Sequence, residues 1–409
     1  MTAATTAASL AAEPSPVKGV SRNVFVLSWV SFAADVSSEM LYPILPIFMT
    51  TTLGAPVALV GVIEGIAEGT AGTSKVASGW WSDRLPRRRP VVALGYALSV
   101  LGKLLLALSF VWPQALFARF FDRLGKGTRT APRDALIADS TDAGSMGRSF
   151  GFHRGLDTLG AVLGPLMGLA LIAALGEDRL RPIFFVALAP ALASVALVAL
   201  ARERKRRVAA HGEPLRLDFS GAPSRYWMFL GVSMLFAFGN SSDAFLLLRA
   251  RDLGLGLMAV VLAYALYNTA YALLAYPAGI AADRVGAHRV LTGGFAVFGV
   301  VYLGFAMAGG GGAVWPLFAG YGVVMAMTEG VGRALISDVA PAERRGAFLG
   351  LYHTAIGLSA VVASVLAGVL WDQVGPATPF ALGGATGLAA ALLLALLPMQ
   401  ARSSLGASA

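Results

Sequence analysis

The chain has 409 residues, of which 56% are hydrophobic and 13% charged, and its mean hydropathy is +0.69. A soluble domain is nearer a quarter charged, so these values exclude both an ordinary soluble protein and an intrinsically disordered one. The net charge of +9 does not indicate nucleic-acid binding, because most basic residues lie in short loops between apolar segments. Cysteine is absent and there are four histidines, which argues against disulfides, thiolate chemistry and histidine-rich metal sites.

Twelve mostly apolar segments follow one another along the chain, each with the roughly 20 residues that a helix needs to cross a bilayer. They cover residues 23–49, 56–81, 90–110, 113–138, 147–174, 181–201, 225–248, 256–281, 289–308, 313–337, 346–370 and 377–399. The connections are short except for a basic stretch, which separates the first six segments from the last six. The sequence therefore predicts an all-α membrane protein with twelve transmembrane helices.

This pattern also predicts the domain organisation. We expect a cytoplasmic tail, a six-helix bundle, a cytoplasmic linker, a second six-helix bundle and a cytoplasmic tail, at residues 1–22, 23–201, 202–224, 225–399 and 400–409. Lys and Arg accumulate in the tails and loops on the side of the N-terminus. The positive-inside rule therefore predicts a protein of the plasma (inner) membrane with both termini in the cytoplasm.

The two halves repeat each other at an offset near 200 residues. The pattern G-x-x-x-D-R occurs at 79–84 and again at 279–284, residues 135–139 resemble 334–338, and a third pattern ends at Glu39 in the first half and at Asp243 in the second. The repeat predicts two pseudo-symmetric bundles with a substrate cavity between them, which opens to each side of the membrane in turn.

The segment after the second span, GWWSDRLPRRRP, resembles the loop signature of the major facilitator superfamily (MFS). Gly79, Asp83, Arg84, Arg87 and Arg88 match it, although Pro86 stands where the family has glycine; the second half carries a weaker copy. The resemblance implies the MFS fold, and it implies that charged residues at the cytoplasmic helix ends act in conformational change. For such a gate the candidates are Gly79, Asp83, Arg84, Arg87, Arg133, Asp134, Asp283 and Arg284.

The fifth span resembles the glycine motif of the drug/proton antiporter branch of that family. Gly151, Gly160, Gly164, Pro165 and Gly168 stand at the motif's spacing, and its final glycine is replaced by leucine. A glycine-lined face permits close helix contact and proline bends a helix. The resemblance implies an exporter.

Acidic residues inside the spans are the candidates for proton coupling, because a charge at the centre of a membrane helix costs about 2.5–3.5 kcal/mol or more. Asp35 and Glu39 are four residues apart and so share one helix face, where two neighbouring carboxylates cannot both ionise at low cost. Glu68 and Asp122 are the further candidates, and Glu64 is expected nearer the outer surface as a gate or solvated residue. Alternatively, these acids pair with basic residues of the fourth span.

Substrate binding is expected from polar residues near mid-depth. The candidates are Arg119, Arg123, Arg154, Asp243, Tyr267 and Glu329. The basic residues of the fourth span can neutralise nearby acids or bind an anionic substrate, since arginine pairs well with carboxylate and phosphate. Arg154 with Asp157, and Glu329 with Arg333, can instead form ion pairs within their own helices.

Together these patterns predict a secondary active transporter that exports a drug-like or amphipathic compound in exchange for protons. Proton-coupled uptake or exchange of a small organic anion, carboxylate-based metal-ion export, and a receptor or enzyme built on the same fold remain alternatives. No phosphate-binding loop and no nucleophile–base pair is present, so we expect neither an enzyme nor a cofactor, with the proton gradient as energy source. The expected partners are a small-molecule substrate, protons and the lipid bilayer, without a metal or nucleic acid, and the protein is expected to be a monomer.

Overall fold

The structure is a computed structural model, and it describes residues 17, 20–141, 146–203, 223–339 and 345–397. All regular elements in this part of the chain are helical. The predicted tails and the predicted linker lie largely outside the described residues, and the boundaries proposed for them stay predictions.

Twelve long helices account for the twelve predicted segments. They are α1 (Arg22–Leu41), α2 (Val57–Asp83), α3 (Arg89–Ala107), α4 (Trp112–Asp139), α5 (Met146–Leu175), α6 (Arg181–Val198), α7 (Ser224–Gly239), α8 (Leu257–Val285), α9 (Ala287–Met307), α10 (Val314–Val339), α11 (Arg345–Gln373) and α12 (Thr378–Leu396). Ten segments in the described part are long and apolar enough to cross a membrane. Helices α2 and α4 are long enough but not apolar enough to be counted among these ten, because polar and charged residues interrupt their apolar sequence.

The first predicted segment is not one continuous helix. Helix α1 ends at Leu41, shortly before Pro43, and the chain continues through a one-turn helix (Leu45–Ile47) and a π-helical turn (Phe48–Thr52). Proline has no backbone N–H to donate and clashes with the preceding turn, which explains the break.

The seventh predicted segment is confirmed as a candidate span over Ser224–Asp252, but it is not one continuous helix. Helix α7 ends at Gly239, and a separate nine-residue helix (Ala244–Asp252) follows. Asn240 and the two serines after it hydrogen-bond readily to nearby backbone and are poor helix formers beside a glycine. The break leaves polar side chains at Asn240 and Asp243 in the middle of the segment.

The first compact unit comprises Met1–Pro214 together with Gly256–Ala265. Within it α1 packs against α5 and α6, while α4 packs against α2 and α3. An apolar cluster that includes Val24, Leu27 and Tyr96 joins the N-terminal part of α1 to neighbouring helices of the unit.

The second compact unit comprises Leu215–Leu255 together with Leu266–Ala409. Three of its helix pairs are equivalent to pairs named for the first unit, α7 with α11, α7 with α12 and α9 with α10, and the contact of α9 with α12 is equivalent to that of α3 with α6. Its apolar core includes the aromatic residues Tyr226 and Phe348, and Tyr226 donates a hydrogen bond of 2.8 Å to the carbonyl of Phe348. The recurrence of the same helix pairs agrees with the pseudo-symmetry predicted from the internal repeat.

Candidate functional site

A cavity within the first compact unit is lined by residues from α1, from the turn after α1, and from α3 and α4. Its charged and polar lining residues are Asp35, Ser38, Glu39, Tyr42, Lys103, Arg119, Asp122, Arg123, Lys126 and Arg129. Three of these are acidic and five are basic. The cavity therefore brings together three predicted proton-coupling residues and two predicted substrate-binding arginines.

The deepest ion pair beside the cavity joins α2 to α4. Glu64 is 1% exposed, and it accepts hydrogen bonds from Arg119 Nε at 3.0 Å and from Nη2 at 2.7 Å and 2.8 Å. The expectation that Glu64 is solvated near the outer surface is wrong. Charges buried to this degree need partners with good geometry, and the two-pronged contact supplies it.

Asp122 is held by two cations of the same cavity. Arg119 Nη1 lies 3.3 Å from Asp122 Oδ2, and Lys103 Nζ lies 3.3 Å from Oδ1. The approach of α3 to α4 that permits the lysine contact depends on Gly102, where an added Cβ would lie 2.5 Å from the backbone nitrogen of Asp122. A carboxylate with two cationic partners is stabilised in its charged form.

Glu68 lies on the more open side of α2. Its side chain is 45% exposed, and its Oε1 lies 3.5 Å from Arg123 Nη1. Arg123 itself is buried, and its guanidinium lies 6.0 Å from the centre of the Tyr42 ring. The structure thus places Glu68 beside the cavity without making it a lining residue.

Asp35 and Glu39 lie on the same face of α1, as their spacing predicts, and both line the cavity. Among the described residues neither forms an ion pair with a cation of α4. Glu39 accepts a 2.8 Å hydrogen bond from the hydroxyl of Tyr264, a residue of the first unit. Asp157 on α5 is a neighbouring acid of Asp35.

The glycine face of α5 packs directly on the part of α1 that carries these acids. A Cβ added at Gly160 would lie 3.0 Å from the Cβ of Asp35, and one added at Gly164 would lie 2.8 Å from the Cβ of Glu39. The motif residue Gly168 meets α1 at the next turn, and Pro165 lies inside the helix.

The remaining features of α5 are less central to the cavity. Arg154 pairs with Asp157 at 3.0 Å, as its spacing predicts, and the arginine side chain is 56% exposed. Arg154 is not a cavity-lining residue. The surroundings of Gly151 lie outside the described part of the chain.

The predicted gate residues lie at the ends of α2 and α4. A Cβ added at Gly79 would lie 3.3 Å from that of Ala131, so the glycine sits at a close contact between these helices. Arg84 stacks on the ring of Trp80 at 3.8 Å, and Arg87 is exposed. The side chain of Asp83 lies outside the described residues.

Near the C-terminal end of α4, Arg133 pairs with the neighbouring Asp134 at 2.9 Å and also donates to Ser31 on α1 at 2.9 Å. Ser31 in turn lies 3.0 Å from His153 Nε2 on α5. These contacts connect three helices through one serine.

One set of contacts was not predicted from the sequence: the start of the connection between the two halves contacts the beginning of α3, which in turn contacts the end of α4. The carboxylate of Glu203 accepts hydrogen bonds from the backbone N–H groups of Arg88 at 2.6 Å and Arg89 at 2.8 Å, and so caps α3. The side chain of Arg88 pairs with Asp139 on α4. No local motif identifies Glu203, because its partners are more than 110 residues away in the chain.

In the second unit Asp243 lies at the break after α7. It accepts hydrogen bonds from Tyr321 at 2.7 Å and from Tyr267, a predicted substrate-binding residue, at 3.3 Å. Glu329 on α10 is exposed.

Of the second-half gate pair, Arg284 is exposed and the side chain of Asp283 lies outside the described residues. The structure therefore leaves the predicted roles of the second-half residues as predictions.

Comparison with known proteins gives one family. The family model described as Major Facilitator Superfamily matches residues 27–248 and 227–408. An uncharacterized MFS-type transporter of Methanocaldococcus jannaschii is 35% identical over 381 residues, which are 92% of this chain and 94% of that protein. An uncharacterized protein of Mycobacterium tuberculosis is 27% identical over 371 residues, 87% of this chain and 88% of that protein.

Solved structures agree with the fold. A POT family transporter in complex with 5-aminolevulinic acid superposes with a TM-score of 0.78 at 13% identity, covering 91% of this chain and 95% of that one. The nucleoside transporter NupG superposes with a TM-score of 0.74 at 13% identity, covering 91% and 99%. At these identities the similarity shows the fold alone.

Proposed function

The chain belongs to the Major Facilitator Superfamily and is a multi-pass membrane transporter, and we propose that it uses the proton gradient to transport a small, hydrophilic, charged molecule. The proteins that it resembles are transporters and not enzymes, as expected from the sequence. We place it in the plasma membrane with cytoplasmic termini, as the distribution of basic residues favours.

The proposal rests on one observation: Asp35 and Glu39 line a cavity that also holds five basic residues, yet among the described residues neither forms a direct ion pair with them. A carboxylate inside a membrane that has no direct ion-pair partner is costly, so each of these acids gains from binding a proton. Asp122 differs because two cations hold it charged. Asp35 and Glu39 are therefore the proposed proton carriers, and Asp122 serves as a counter-ion within the network.

The composition of the cavity favours a hydrophilic substrate over the amphipathic, drug-like compound expected from the sequence. Eight of its lining residues are acidic or basic. Burying a large apolar group against them would remove their hydration without replacing it, which is unfavourable. A small molecule with its own charged groups can satisfy them.

Electrical recording from liposomes containing the purified full-length protein tests this function. A panel of amino acids, organic acids, nucleosides and lipophilic cations is applied with and without an imposed pH gradient. We expect hydrophilic charged compounds to produce currents that depend on the gradient, and Asp35→Asn with Glu39→Gln to remove that dependence. Asp178→Asn, an exposed acid in the loop after α5, is the matched control. Transport that ignores the gradient in the unaltered protein, or that keeps its dependence in the double variant, would refute the proposal.

A second candidate function is export in exchange for protons, and the packing of α5 against α1 favours this direction of transport. The glycines that resemble the antiporter motif lie against the α1 turns carrying Asp35 and Glu39, so that movement of α5 would change the surroundings of both acids. This contact supports export by exchange with protons. Loaded liposomes distinguish the cases, since a proton gradient directed inward accelerates efflux in an antiporter and drives accumulation in a symporter.

A further inference from the structure

Arg123 on α4 is a cavity-lining cation whose hydrogen-bonding capacity is only partly used. Its side chain is 8% exposed, and its closest acidic atom is Oε1 of Glu68, 3.5 Å from Nη1. Its Nε has no hydrogen-bond partner among the described residues. Leaving a buried donor without an acceptor is unfavourable, so an acceptor supplied by a ligand would be stabilised here.

Lys126 follows one turn later on the same side of α4 and lines the same cavity. Its side chain is exposed, and it forms neither an ion pair nor a hydrogen bond with the part of the protein that the structure describes. Lys103, the other lysine of the cavity, is buried and pairs with Asp122. The two lysines therefore differ in role: Lys103 completes an internal ion network, and Lys126 is available to a ligand.

We propose that Arg123 and Lys126 together bind the anionic group of the transported molecule, and that this group is the carboxylate of a small monoanionic organic acid. The inference names the substrate class of the transporter proposed above and rests on that proposal. One carboxylate has two oxygens, so it can accept from the guanidinium group of the arginine and from the ammonium group of the lysine at once.

The acidic residues of the cavity select against more highly charged anions. Asp35, Glu39 and Asp122 line the same space, where five basic residues outnumber the three acidic ones. A monoanion uses part of that excess, whereas a dianion such as sulfate or phosphate places a second negative charge beside three carboxyl groups. The cavity is therefore better suited to a carboxylate than to a phosphate ester.

Thermal unfolding of the purified full-length protein in lipid nanodiscs, followed by tryptophan fluorescence, tests the site. The probes are acetate, lactate and benzoate, each beside its neutral amide, with sulfate and phosphate as dianions, all at constant ionic strength. The variants are Arg123→Gln, Lys126→Met and Lys126→Arg. Lys75→Met is the matched control, because Lys75 is exposed on α2 and does not line the cavity.

We expect at least one carboxylate to raise the unfolding temperature in a saturable way while its amide does not. Lys126→Met and Arg123→Gln should weaken that binding about tenfold or more, which is the usual effect of losing a hydrogen bond to a charged group. Lys126→Arg and Lys75→Met should retain it. Because Lys126 is exposed, its methionine variant keeps the test valid even where Arg123→Gln folds poorly.

Three results would overturn the inference: no carboxylate acts more strongly than its amide, Lys126→Met binds as well as the unaltered protein, or the dianions bind while the carboxylates do not. The experiment uses no membrane gradient. It can therefore fail while proton coupling holds in liposomes, and it can succeed while that coupling fails, so the two proposals are tested separately.

Discussion

The buried contact between Glu64 and Arg119 provides a quantitative test of how charge is tolerated inside the first unit. Removing one partner of a buried ion pair typically destabilises a protein by about 3–5 kcal/mol, because the other charge is left without compensation. Arg119→Met removes all three hydrogen bonds to Glu64 and also one of the two cations of Asp122. We therefore expect this variant to lose about 3–5 kcal/mol of its free energy of unfolding.

The reciprocal change should cost less. Glu64→Gln leaves Arg119 in contact with Asp122, and the glutamine oxygen can still accept a hydrogen bond, so we expect a loss of about 2–3 kcal/mol. The double variant removes both charges of the pair, so neither is left buried without its partner. Its loss in free energy of unfolding should therefore be clearly smaller than the sum of the losses in the two single variants.

Equilibrium unfolding in mixed detergent micelles, measured for the unaltered protein, both single variants and the double variant, gives the coupling free energy. A coupling within about 0.5 kcal/mol of zero, which is the range found for independent sites, would show that the pair does not stabilise the unit as argued.

Two further predictions compare matched positions. Gly164→Ala should destabilise the protein by about 1–3 kcal/mol, because its Cβ would lie 2.8 Å from that of Glu39. Gly155→Ala in the same helix meets open space and should be neutral or stabilising by up to about 1 kcal/mol, so equal effects in thermal unfolding would contradict the packing argument. Glu203→Ala removes the cap of α3 and should cost about 0.5–2 kcal/mol in the same assay. The exposed loop change Glu177→Ala should have little effect, and a Glu203→Ala variant as stable as that control would show that the cap contributes nothing.

Much of the fold could be predicted from the sequence, because it depends on local composition. A bilayer requires about 20 apolar residues per helix, so twelve such segments predict twelve helices without knowledge of any contact. The breaks in the first and seventh segments were not predicted, although Pro43 and the polar run around Asn240 carry the signal for them.

The candidate site was only partly predictable. The spacing of Asp35 and Glu39 indicates a shared face because helical periodicity is local. The sequence ranked Glu68 above Glu64 for proton coupling and expected Glu64 to be a gate or solvated residue, because spacing along one helix does not show which of the two is buried. Only the position of α4 decides that Glu64 is buried against Arg119 and that Glu68 remains half exposed.

The amino-acid sequence alone therefore determined the class of protein, the number of spans, the repeat and which acidic residues lie inside the spans. Each of these depends on the order of residues along the chain and on what a lipid environment tolerates in one helix. The tertiary structure decided which charges compensate one another. Among the described residues it pairs Asp122 with two cations, and it shows no direct ion pair between Asp35, Glu39 or Lys126 and an oppositely charged side chain. Charge compensation depends on distances between helices far apart in the chain, and those distances are set by packing.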